Sequence, residues 1–489
     1  MENRPRSQNP RFISSTISLS AFSVFNAVLG LAGIVVLTRQ YSQTFFGAYT
    51  FVLVVTSFLV QISTFGLELG ISRFIAGSKN EPEKERYLNT AVFIRLGAII
   101  FAGLLAWIGK TYLVEFFGGS LLPDVFLYIP LLFVLESFRA LFRSVLQGCL
   151  RFTRIGITDV ITSSSNFLMI MIYVFVIKGD QINMVILIRA LATLLGCGYA
   201  YLSIPLRKGI AFHLDVFKEL LKFGFPLQIN DFLQFISTRI DTIVIAALLG
   251  PANIALYEVA RKIPDNLRVL YEPFRSVYYP FLVKKYKLED RTQASKLLMD
   301  AVRFVAFIMI LGTAITVLFS REIIVLLFSD KYSASAPVFV ILMINLSLAL
   351  ISNVMGTSIV AVGDTKKPMI INTFNAVISL IGSVLFIPGF RIIGAALANT
   401  FGTAFAYPLN LFFLRRKIEL STWINLKLFT LFGVWSLLVI FVKPESILVK
   451  LLFLLIFLAA SYVLSIFTRE DINIMLKGSG LRVFKSQGN

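Results

Sequence analysis

Long runs of apolar residues alternate with short polar segments along almost the whole chain. Fourteen such runs reach about 20 residues and end at charged or turn-forming positions, which is the length an α-helix needs to cross a bilayer. We number them spans 1 to 14. They cover residues 12–38, 45–72, 87–109, 122–149, 153–177, 181–206, 223–249, 252–283, 297–320, 334–362, 368–388, 391–414, 426–442 and 449–468. The sequence therefore predicts an all-α polytopic membrane protein.

The composition excludes several other classes of protein. Of the 489 residues, 57% are hydrophobic and only 15% are charged, against about 25% charged in a soluble domain. Two cysteines are too few for a disulfide scaffold. Span 1 follows Arg4, Arg6 and Arg11 as a signal peptide would, but its apolar run is too long, so we interpret it as an uncleaved span.

Basic residues are distributed unevenly between the segments that connect the spans. If the N-terminus is cytoplasmic, 28 of the 46 basic residues fall in cytoplasmic segments and 8 in outer segments. This asymmetry predicts that both termini are cytoplasmic. The net charge of +19 then indicates contact with anionic lipid and an anionic substrate, and no nucleic acid is expected.

Short segments recur between the two halves at nearly constant offsets. Phe46–Tyr49 resembles Ile254–Tyr257 at an offset of 208, and Ala91-Val92 matches Ala301-Val302 at 210. A third pair, before spans 5 and 11, gives 212. Six spans per half predict a parallel repeat, in which two six-helix lobes are related by a pseudo-two-fold axis along the membrane normal.

The repeat defines the predicted domain boundaries. The N-lobe covers 1–206 and the C-lobe 223–417. Residues 207–222 between them alternate charged and apolar side chains, which predicts an amphipathic helix on the cytoplasmic surface. Spans 13 and 14, with a cytoplasmic tail, make up 418–489.

Ten basic residues lie inside the predicted spans. A basic side chain at the bilayer centre costs about 2.5–3.5 kcal/mol even on the mildest scale, so most of them must face protein or water. In span 8 the ionisable residues follow one another at steps of three and four, which places them on one helical face. They are Glu258, Arg261, Asp265, Arg268, Glu272 and Arg275.

Similar polar stripes in spans 2, 4, 7, 8 and 11 predict a hydrated cavity. Guanidinium groups suit phosphate or carboxylate because they donate paired hydrogen bonds and stay charged. The candidate substrate-binding residues are Arg139, Arg143, Arg239, Arg261, Arg268, Arg275 and Gln234. The alternative is that these charges form structural ion pairs, because acidic neighbours lie one helical turn away.

Four carboxylates in spans 7 and 8 are candidates for coupling transport to an ion gradient: Asp231, Asp241, Glu258 and Asp265. The chain has no GxxxxGK[ST] motif for nucleotide binding, so a proton or sodium gradient is the expected energy source, unless polymerisation on the far side alone draws the flow outward. A carboxylate whose surroundings change between two states binds a proton differently in each. The alternative role, balancing the charge of nearby arginines, stays open.

Motifs for catalysis or metal binding are not found. His213 is the single histidine and lies in the predicted linker, while Cys149 and Cys197 lie in spans. These residues give neither a general base nor a metal site, and no cofactor is expected. The sequence therefore predicts a transporter and not an enzyme.

Several segments resemble a known family of transporters. They are Leu37–Tyr41, Phe46–Tyr49, Asp241–Tyr257, Ala361–Pro368 with Asn375, and Gly394–Ala396. The chain resembles the polysaccharide transporter (Wzx-type flippase) family of the multidrug/oligosaccharidyl-lipid/polysaccharide superfamily. The resemblance implies two six-helix lobes, an appended helix pair and alternating access. It also implies a cargo of undecaprenyl-pyrophosphate-linked oligosaccharide, of the O-antigen, exopolysaccharide or capsule type, moved from the inner to the outer leaflet.

Other functions stay open at the level of sequence. A lipid II-type flippase and a multidrug and toxin extrusion-type antiporter share the architecture, although a basic cavity argues against cationic drugs. A membrane glycan polymerase or ligase belongs to a different class and would be expected to carry a larger outer loop. The partners implied are lipid-linked oligosaccharide, membrane lipids, and a polysaccharide polymerase with a chain-length regulator. The implied location is the cytoplasmic membrane of a bacterium or archaeon.

Overall fold

The computed structural model describes residues 10–108, 128–207, 209, 211–269, 271–287, 291–364, 366–416, 423–442 and 444–464. These residues form α-helices joined by short turns, and no strand occurs among them. The helices are α1 (Pro10–Gln40), α2 (Gln43–Ser63), α3 (Leu67–Gly77), α4 (Glu81–Ile108), α5 (Tyr128–Gly148), α6 (Phe152–Met171), α7 (Ile182–Ser203), α8 (Leu214–Leu249), α9 (Pro251–Val269), α10 (Tyr271–Lys287), α11 (Arg291–Phe328), α12 (Ala336–Ala361), α13 (Lys366–Arg415), α14 (Trp423–Val442) and α15 (Ile447–Val463). A π-helical segment, Ile172–Ile177, extends α6, and a 3₁₀ helix, Asp330–Ser335, precedes α12.

Each predicted span contains at least part of one of these helices. Span 2 corresponds to α2 and α3, and span 8 to α9 and α10. Spans 11 and 12 correspond to the two parts of α13, which is kinked at Arg391. In the described part of the chain, eight helical segments are long and apolar enough to cross a membrane, and two shorter apolar helices follow. The protein is an all-α polytopic membrane protein, as predicted, while the number of fourteen crossings remains a prediction.

Span 2 is interrupted, whereas the sequence predicts one continuous helix over 45–72. Helix α2 ends at Ser63, and α3 begins at Leu67. Between them Gly66 has a φ of 68°, a left-handed conformation that favours glycine. A Cβ atom on Gly66 would also overlap the backbone carbonyl of Gly224 in α8. The two backbones therefore touch at this break.

Side chains from other helices bind the main-chain groups that the break leaves free. Gln228 of α8 accepts a hydrogen bond from the Gly66 N–H at 2.8 Å and donates one to the Gln61 carbonyl at 2.5 Å. Arg95 of α4 donates to the Ser63 carbonyl at 3.1 Å. Unpaired N–H and C=O groups at helix ends are costly when buried. The break is thus stable because two other helices, α4 and α8, supply its hydrogen bonds.

Helices α2 and α9, which begin at the segments related by the predicted repeat, pack against each other. At the start of α2, a Cβ atom on Gly47 would overlap the carbonyl of Pro251 at the start of α9. Next to this contact, the rings of Phe46 and Tyr332 meet edge to face, with centroids 6.5 Å apart. Glycine at position 47 is therefore required for the close approach of the two helices.

The predicted linker 207–222 does not form a separate helix. Helix α8 begins at Leu214 and continues without interruption to Leu249, so the second part of the linker and span 7 are one helix. Its first turns are fixed to α4, where the Tyr87 hydroxyl donates to Glu219 at 2.6 Å. The second part of the linker is thus a helical extension of span 7.

The chain divides into two compact units. The first comprises Met1–Pro273, Val325–Ser335 and Ala376–Asn399, and the second comprises Phe274–Ile324, Ala336–Asn375 and Thr400–Asn489. The first unit contains α1 to α9 and the site described below. The boundaries of the two lobes, which were derived from the repeat in chain order, remain a prediction.

Polar pairs between helices characterise the second unit. Thr313 and Ser347 share a buried hydrogen bond of 2.7 Å between α11 and α12. Lys450 of α15 forms an ion pair with Glu322 of α11, and its ammonium group lies over the Phe319 ring at 5.5 Å. This ion pair attaches the C-terminal helix pair to α11.

Candidate functional site

A polar cavity of about 450 Å³ lies in the first unit, lined by residues of α2, α3, α5, α7, α8 and α9. Part of its wall is apolar, with Leu53, Val54 and Phe235 among the lining residues. The charged residues on the wall are Glu68, Glu136, Arg139, Arg189, Arg239, Glu258 and Lys262. Charged side chains inside a membrane protein are expensive to bury, so their concentration around one cavity marks it as the candidate functional site.

One carboxylate, Glu136, joins two arginines on the wall formed by α5 and α7. Arg139 lies one turn further along α5, and its Nε and Nη2 atoms bind Glu136 Oε2 at 2.8 and 2.7 Å. Arg189 of α7 donates to Glu136 Oε1 at 3.1 Å, and the Thr193 hydroxyl donates to the same oxygen at 3.2 Å. Both oxygens of Glu136 are therefore occupied, and two nitrogens of the Arg139 guanidinium converge on one of them.

A second carboxylate, Asp159 of α6, extends this cluster. It forms ion pairs with Arg143 at 2.8 Å and with Arg139 at 3.4 Å. The stripe of residues on span 4 correctly indicates that Arg139 and Arg143 share a face. Asp159 was not among the residues predicted to form the site, although an aspartate inside an apolar span is itself a signal.

Asp241 of α8 is the most completely bonded carboxylate of the site. It is 1% exposed and accepts hydrogen bonds from the Tyr257 hydroxyl at 2.5 Å, the Thr242 N–H at 2.7 Å and Asn399 Nδ2 at 3.0 Å. Arg261 Nη1 adds a fourth donor at 3.3 Å. Both oxygens have partners, so the ionised form of Asp241 is fully satisfied by the protein.

Arg261 of α9 is likewise fully engaged within the helix bundle. Besides Asp241, it binds Asp265 through Nε at 3.0 Å, and its Nη2 donates to the Thr238 carbonyl. Each nitrogen of the guanidinium therefore has an acceptor. The alternation of charges along span 8 predicts such pairing, and Arg261 with Asp265 realises it at a spacing of four residues.

Glu258 and Lys262, one turn apart on α9, are bonded much less. Glu258 is fully buried, and its Oε1 accepts from the Thr242 hydroxyl at 2.8 Å and lies 3.6 Å from Arg239 Nη1. Its other oxygen, Oε2, is buried without a hydrogen-bond partner in the described residues. Lys262 lines the cavity, and none of the described carboxylates lies within 4 Å of its ammonium.

The predicted site residues separate into groups with different surroundings. Arg139, Arg239 and Glu258 line the cavity, whereas Arg261, Asp241 and Asp265 bind one another beside it. The others are not among the lining residues: Arg143 is exposed and paired with Asp159, Arg268 and Arg275 are exposed, and Asp231 is partly buried. Gln234 belongs to α8, but its side chain lies outside the described residues.

Arg189 and Lys262 line the cavity but were not among the residues predicted to bind substrate. Each lies inside a span, so the count of basic residues in spans detects both. Neither belongs to the regular stripes that guided the selection. A search for metal sites finds no cluster of three His, Cys, Asp or Glu side chains in the described part of the chain.

The sequence profile of the family described as "Polysaccharide biosynthesis protein" matches residues 36–337, which is more than half of the chain. The chain belongs to this family. The matched region includes every charged residue of the cavity wall, from Glu68 to Lys262. The resemblance to polysaccharide transporters stated from the sequence is thereby confirmed.

Two similar proteins illustrate the range of organisms in which relatives of this chain occur. The chain is 24% identical over 411 residues to the lipopolysaccharide biosynthesis protein WzxC of Escherichia coli, covering 80% of this chain and 77% of WzxC. It is 21% identical over 396 residues to the probable low-salt glycan biosynthesis flippase Agl15 of Haloferax volcanii, covering 80% of each protein. These relatives support a transporter and not an enzyme.

A solved structure of a lipid II flippase, MurJ, in an inward closed conformation has the same fold. The TM-score is 0.73, with 18% sequence identity, and the match covers 92% of this chain and 98% of MurJ. This likeness extends over nearly the whole chain and therefore supports the predicted architecture. At this level of identity it concerns the fold alone.

Proposed function

We propose that this protein is a flippase that moves a lipid-linked glycan across the membrane. The observation that carries the proposal is the charged cavity of about 450 Å³ enclosed by helices that are otherwise apolar. A diphosphate with attached sugars cannot cross hydrocarbon without a polar path, because each buried charge must be paired or hydrated. The names of WzxC and Agl15 support the same reading.

The cavity offers groups that could replace the water around such a head group. Arg239 and Lys262 lie on the α8–α9 wall and can bind the negative oxygens of a diphosphate. Glu136 holds Arg139 and Arg189 in place on the opposite wall, so that a preformed polar surface meets the sugars. Phe235 adds an apolar surface against which a sugar ring can pack.

The finer proposal follows the family resemblance. The cargo is an undecaprenyl-pyrophosphate-linked oligosaccharide repeat unit, which alternating access moves from the inner to the outer leaflet of a bacterial or archaeal cytoplasmic membrane. A polymerase and a chain-length regulator would then use the product on the far side. The orientation can be tested with single cysteines at Ser78 and Ser333 in a chain whose native cysteines are replaced. Only the cysteine at Ser333 should react with a reagent applied outside, and labelling of both from the same side would reject the orientation.

We further propose that a proton or sodium gradient drives transport, with Glu258 as the coupling carboxylate. Among the four carboxylates predicted for this role, Asp241 is saturated by donors and Asp265 is paired with Arg261. Glu258 lines the cavity and has one buried oxygen without a partner in the described residues. A group in such surroundings can gain or lose a cation when the cavity changes its exposure.

Reconstitution of the purified protein into liposomes tests the flippase function. The substrate is a fluorescent polyprenyl diphosphate-linked oligosaccharide, and its arrival in the other leaflet is read by a membrane-impermeant quencher. Arg239→Ala and Lys262→Ala should each slow flipping about tenfold or more, because a charge-assisted hydrogen bond contributes about 1.5–3 kcal/mol. Arg303→Ala is the matched control, since Arg303 lies in a span of the second unit and pairs with Asp300.

Two results would reject the proposal. One is a wild-type rate no greater than that of liposomes without protein. The other is unchanged flipping in both cavity variants, which would mean that the cavity is not the path. Lys262→Arg should keep most of the activity, because the positive charge is retained.

A further inference from the structure

The charges on the cavity wall are nearly balanced, in contrast to the strongly basic chain. Four basic side chains and three carboxylates face the cavity, so its excess is a single positive charge. The chain as a whole carries +19. The cavity therefore does not attract anions in general. The number of negative charges that it can bind depends on which of its cations are already paired.

Two of the four cations are held by the protein itself. Arg139 binds Glu136 with Nε and Nη2 and faces Asp159 with Nη1, so all three nitrogens are engaged. Arg189 is bound to the other oxygen of Glu136. Displacing either arginine would remove one of the two cations that neutralise Glu136, a carboxylate with a side chain only 15% exposed, and this is unfavourable. These two arginines therefore bind a substrate anion more weakly than unpaired arginines would.

The other two cations are held less firmly and can be used by a ligand. Arg239 forms a looser ion pair with Glu258, at 3.6 Å and without a hydrogen bond, and Lys262 has no carboxylate within 4 Å in the described part of the chain. Both lie on the wall formed by α8 and α9. A diphosphate that links a lipid to a sugar carries two negative charges, and these two cations match it in number.

The carboxylates facing the cavity point to the nature of the sugars. Glu68 is 39% exposed at its side chain and faces Arg95 at 3.6 Å, and Glu258 Oε2 is buried without a described partner. A sugar hydroxyl or ammonium can donate a hydrogen bond to the exposed carboxylate of Glu68, while the buried Glu258 adds negative charge behind the wall. A sugar carboxylate would instead meet like charges after the available cations have been used, and like charges within a few ångströms repel strongly in such a site.

We infer that the cavity selects glycans without carboxylate groups, so that the cargo is a neutral or amino-sugar oligosaccharide and not one containing uronic acid. This inference rests on the proposed function, since it requires the two available cations to bind the diphosphate of the lipid carrier.

Binding of three synthetic ligands to the purified full-length protein in lipid nanodiscs tests the inference. Each ligand is a farnesyl diphosphate-linked disaccharide, and the three differ only in the terminal sugar: glucose, glucosamine or glucuronic acid. The glucose and glucosamine ligands should bind, and the glucuronic acid ligand should bind about tenfold more weakly or worse, because one added like charge is repelled in a partly dehydrated cavity. The comparison uses wild-type protein only.

A charge-neutralising variant sharpens the test. Glu68→Gln should narrow the difference in affinity between the glucose and glucuronic acid ligands severalfold, because it removes one negative charge from the cavity wall. Asp215→Asn is the matched control, because Asp215 is an exposed acidic residue that pairs with Arg86 away from the cavity. It should alter none of the three affinities.

The outcomes separate the inference from the function on which it rests. If the glucuronic acid ligand binds as tightly as the glucose ligand, the selectivity is wrong and the flippase function stands. If none of the three ligands binds, the proposed function is wrong and the inference falls with it. Weaker binding of the glucosamine ligand than of the glucose ligand would contradict the role given to the carboxylates.

Discussion

Arg39 and Lys331 make reciprocal contacts between two helix ends. Arg39 binds carbonyls at the end of α11, and Lys331 binds carbonyls at and just after the end of α1. Arg39, in the last turn of α1, donates through Nε to the Leu327 carbonyl at 3.1 Å and through Nη2 to the Leu326 carbonyl. Lys331, just after α11, donates to the carbonyls of Arg39 at 3.1 Å and Tyr41 at 2.6 Å. The last carbonyls of a helix lack partners within the helix and attract cations. The two side chains thus cap both helices at once.

A tyrosine fixes the same loop from its other side. The Tyr41 hydroxyl donates to the Gly179 carbonyl at 2.6 Å. Burial, with Tyr173 and Asp180 nearby, raises the pKa of Tyr41 to about 12. The hydroxyl therefore keeps its proton at neutral pH and remains a donor. By the predicted topology this loop lies on the outer side of the membrane.

Loss of the reciprocal caps should make the cavity more accessible from outside. Arg39 and Lys331 are exposed, so their contacts contribute modestly. We expect the double variant Arg39→Ala/Lys331→Ala to destabilise the state that is closed on the outer side by about 1 kcal/mol, which shifts the ratio of open to closed protein roughly fivefold. The measurement is the labelling rate of a cysteine at Ser57, on the cavity wall, by an impermeant maleimide applied outside. Arg321→Ala, which removes an exposed charge near the end of α11, should leave the rate unchanged. A double variant that labels at the wild-type rate would show that the caps do not hold this side closed.

Gly66→Ala should lower the unfolding temperature of the detergent-solubilised protein by several degrees. The left-handed backbone costs a residue with a Cβ about 1–2 kcal/mol, and the overlap with the Gly224 carbonyl adds to this. Gly30→Ala is the matched control, since a Cβ there meets no atom within 4 Å. Alanine at that position in α1 should be neutral or should stabilise the helix by up to about 1 kcal/mol. Equal effects of the two substitutions would contradict the close contact at the break.

Glu136→Gln should destabilise the protein because it leaves Arg139 and Arg189 side by side without their shared counter-charge. The glutamate side chain is 15% exposed, so we expect a loss of about 2–3 kcal/mol, below the value for a dry ion pair. Thermal unfolding in detergent measures the change. Asp215→Asn, which breaks an ion pair between two exposed side chains, should leave the unfolding temperature unaltered. If both variants unfold like the wild type, Glu136 does not organise the two arginines.

Glu258→Gln and Asp241→Asn should affect ion coupling differently. Glu258→Gln removes the carboxylate that has a free oxygen in the described residues, so flipping in liposomes should no longer respond to an imposed proton or sodium gradient. Asp241→Asn disrupts a saturated set of hydrogen bonds, so it should lower thermal stability. Flipping by the protein that remains folded should still respond to the gradient. An unchanged response to both gradients in Glu258→Gln would leave Glu258 only a charge-balancing role.

The sequence pattern predicts which residues share a helical face but not how deep each one lies. Along span 8, Glu258 and Arg261 are buried while Arg268 and Arg275 are exposed, although all four fit one stripe. Arg261 and Arg268 even belong to the same helix, α9, so burial changes along the stripe while the spacing stays the same. Spacing within a helix cannot detect this change.

Hydrogen-bond and ion-pair partners that lie far apart in the chain also cannot be predicted from the sequence. Asn399 binds Asp241 across 158 positions, and Asp159 joins Arg139 and Arg143 from a different helix. The pairing of Arg261 with Asp265, by contrast, follows from their spacing of four residues. Local pairs can be predicted because helix geometry fixes them, whereas pairs between helices depend on packing that one sequence does not specify.

The hydrogen bonds that Gln228 makes to the break in span 2 link movement of α8 to the entry of water at the break. One side-chain amide substitutes for two main-chain partners, at Gln61 and Gly66. If α8 moves away from this point, the Gly66 N–H loses its side-chain acceptor and the Gln61 carbonyl keeps only the Thr64 hydroxyl as a side-chain donor. Within a membrane an unpaired N–H costs several kcal/mol until water reaches it. Separation at this point is therefore favourable only when water enters with it. The Gln228 side chain thus keeps α8 against the break until water can reach the main-chain groups there.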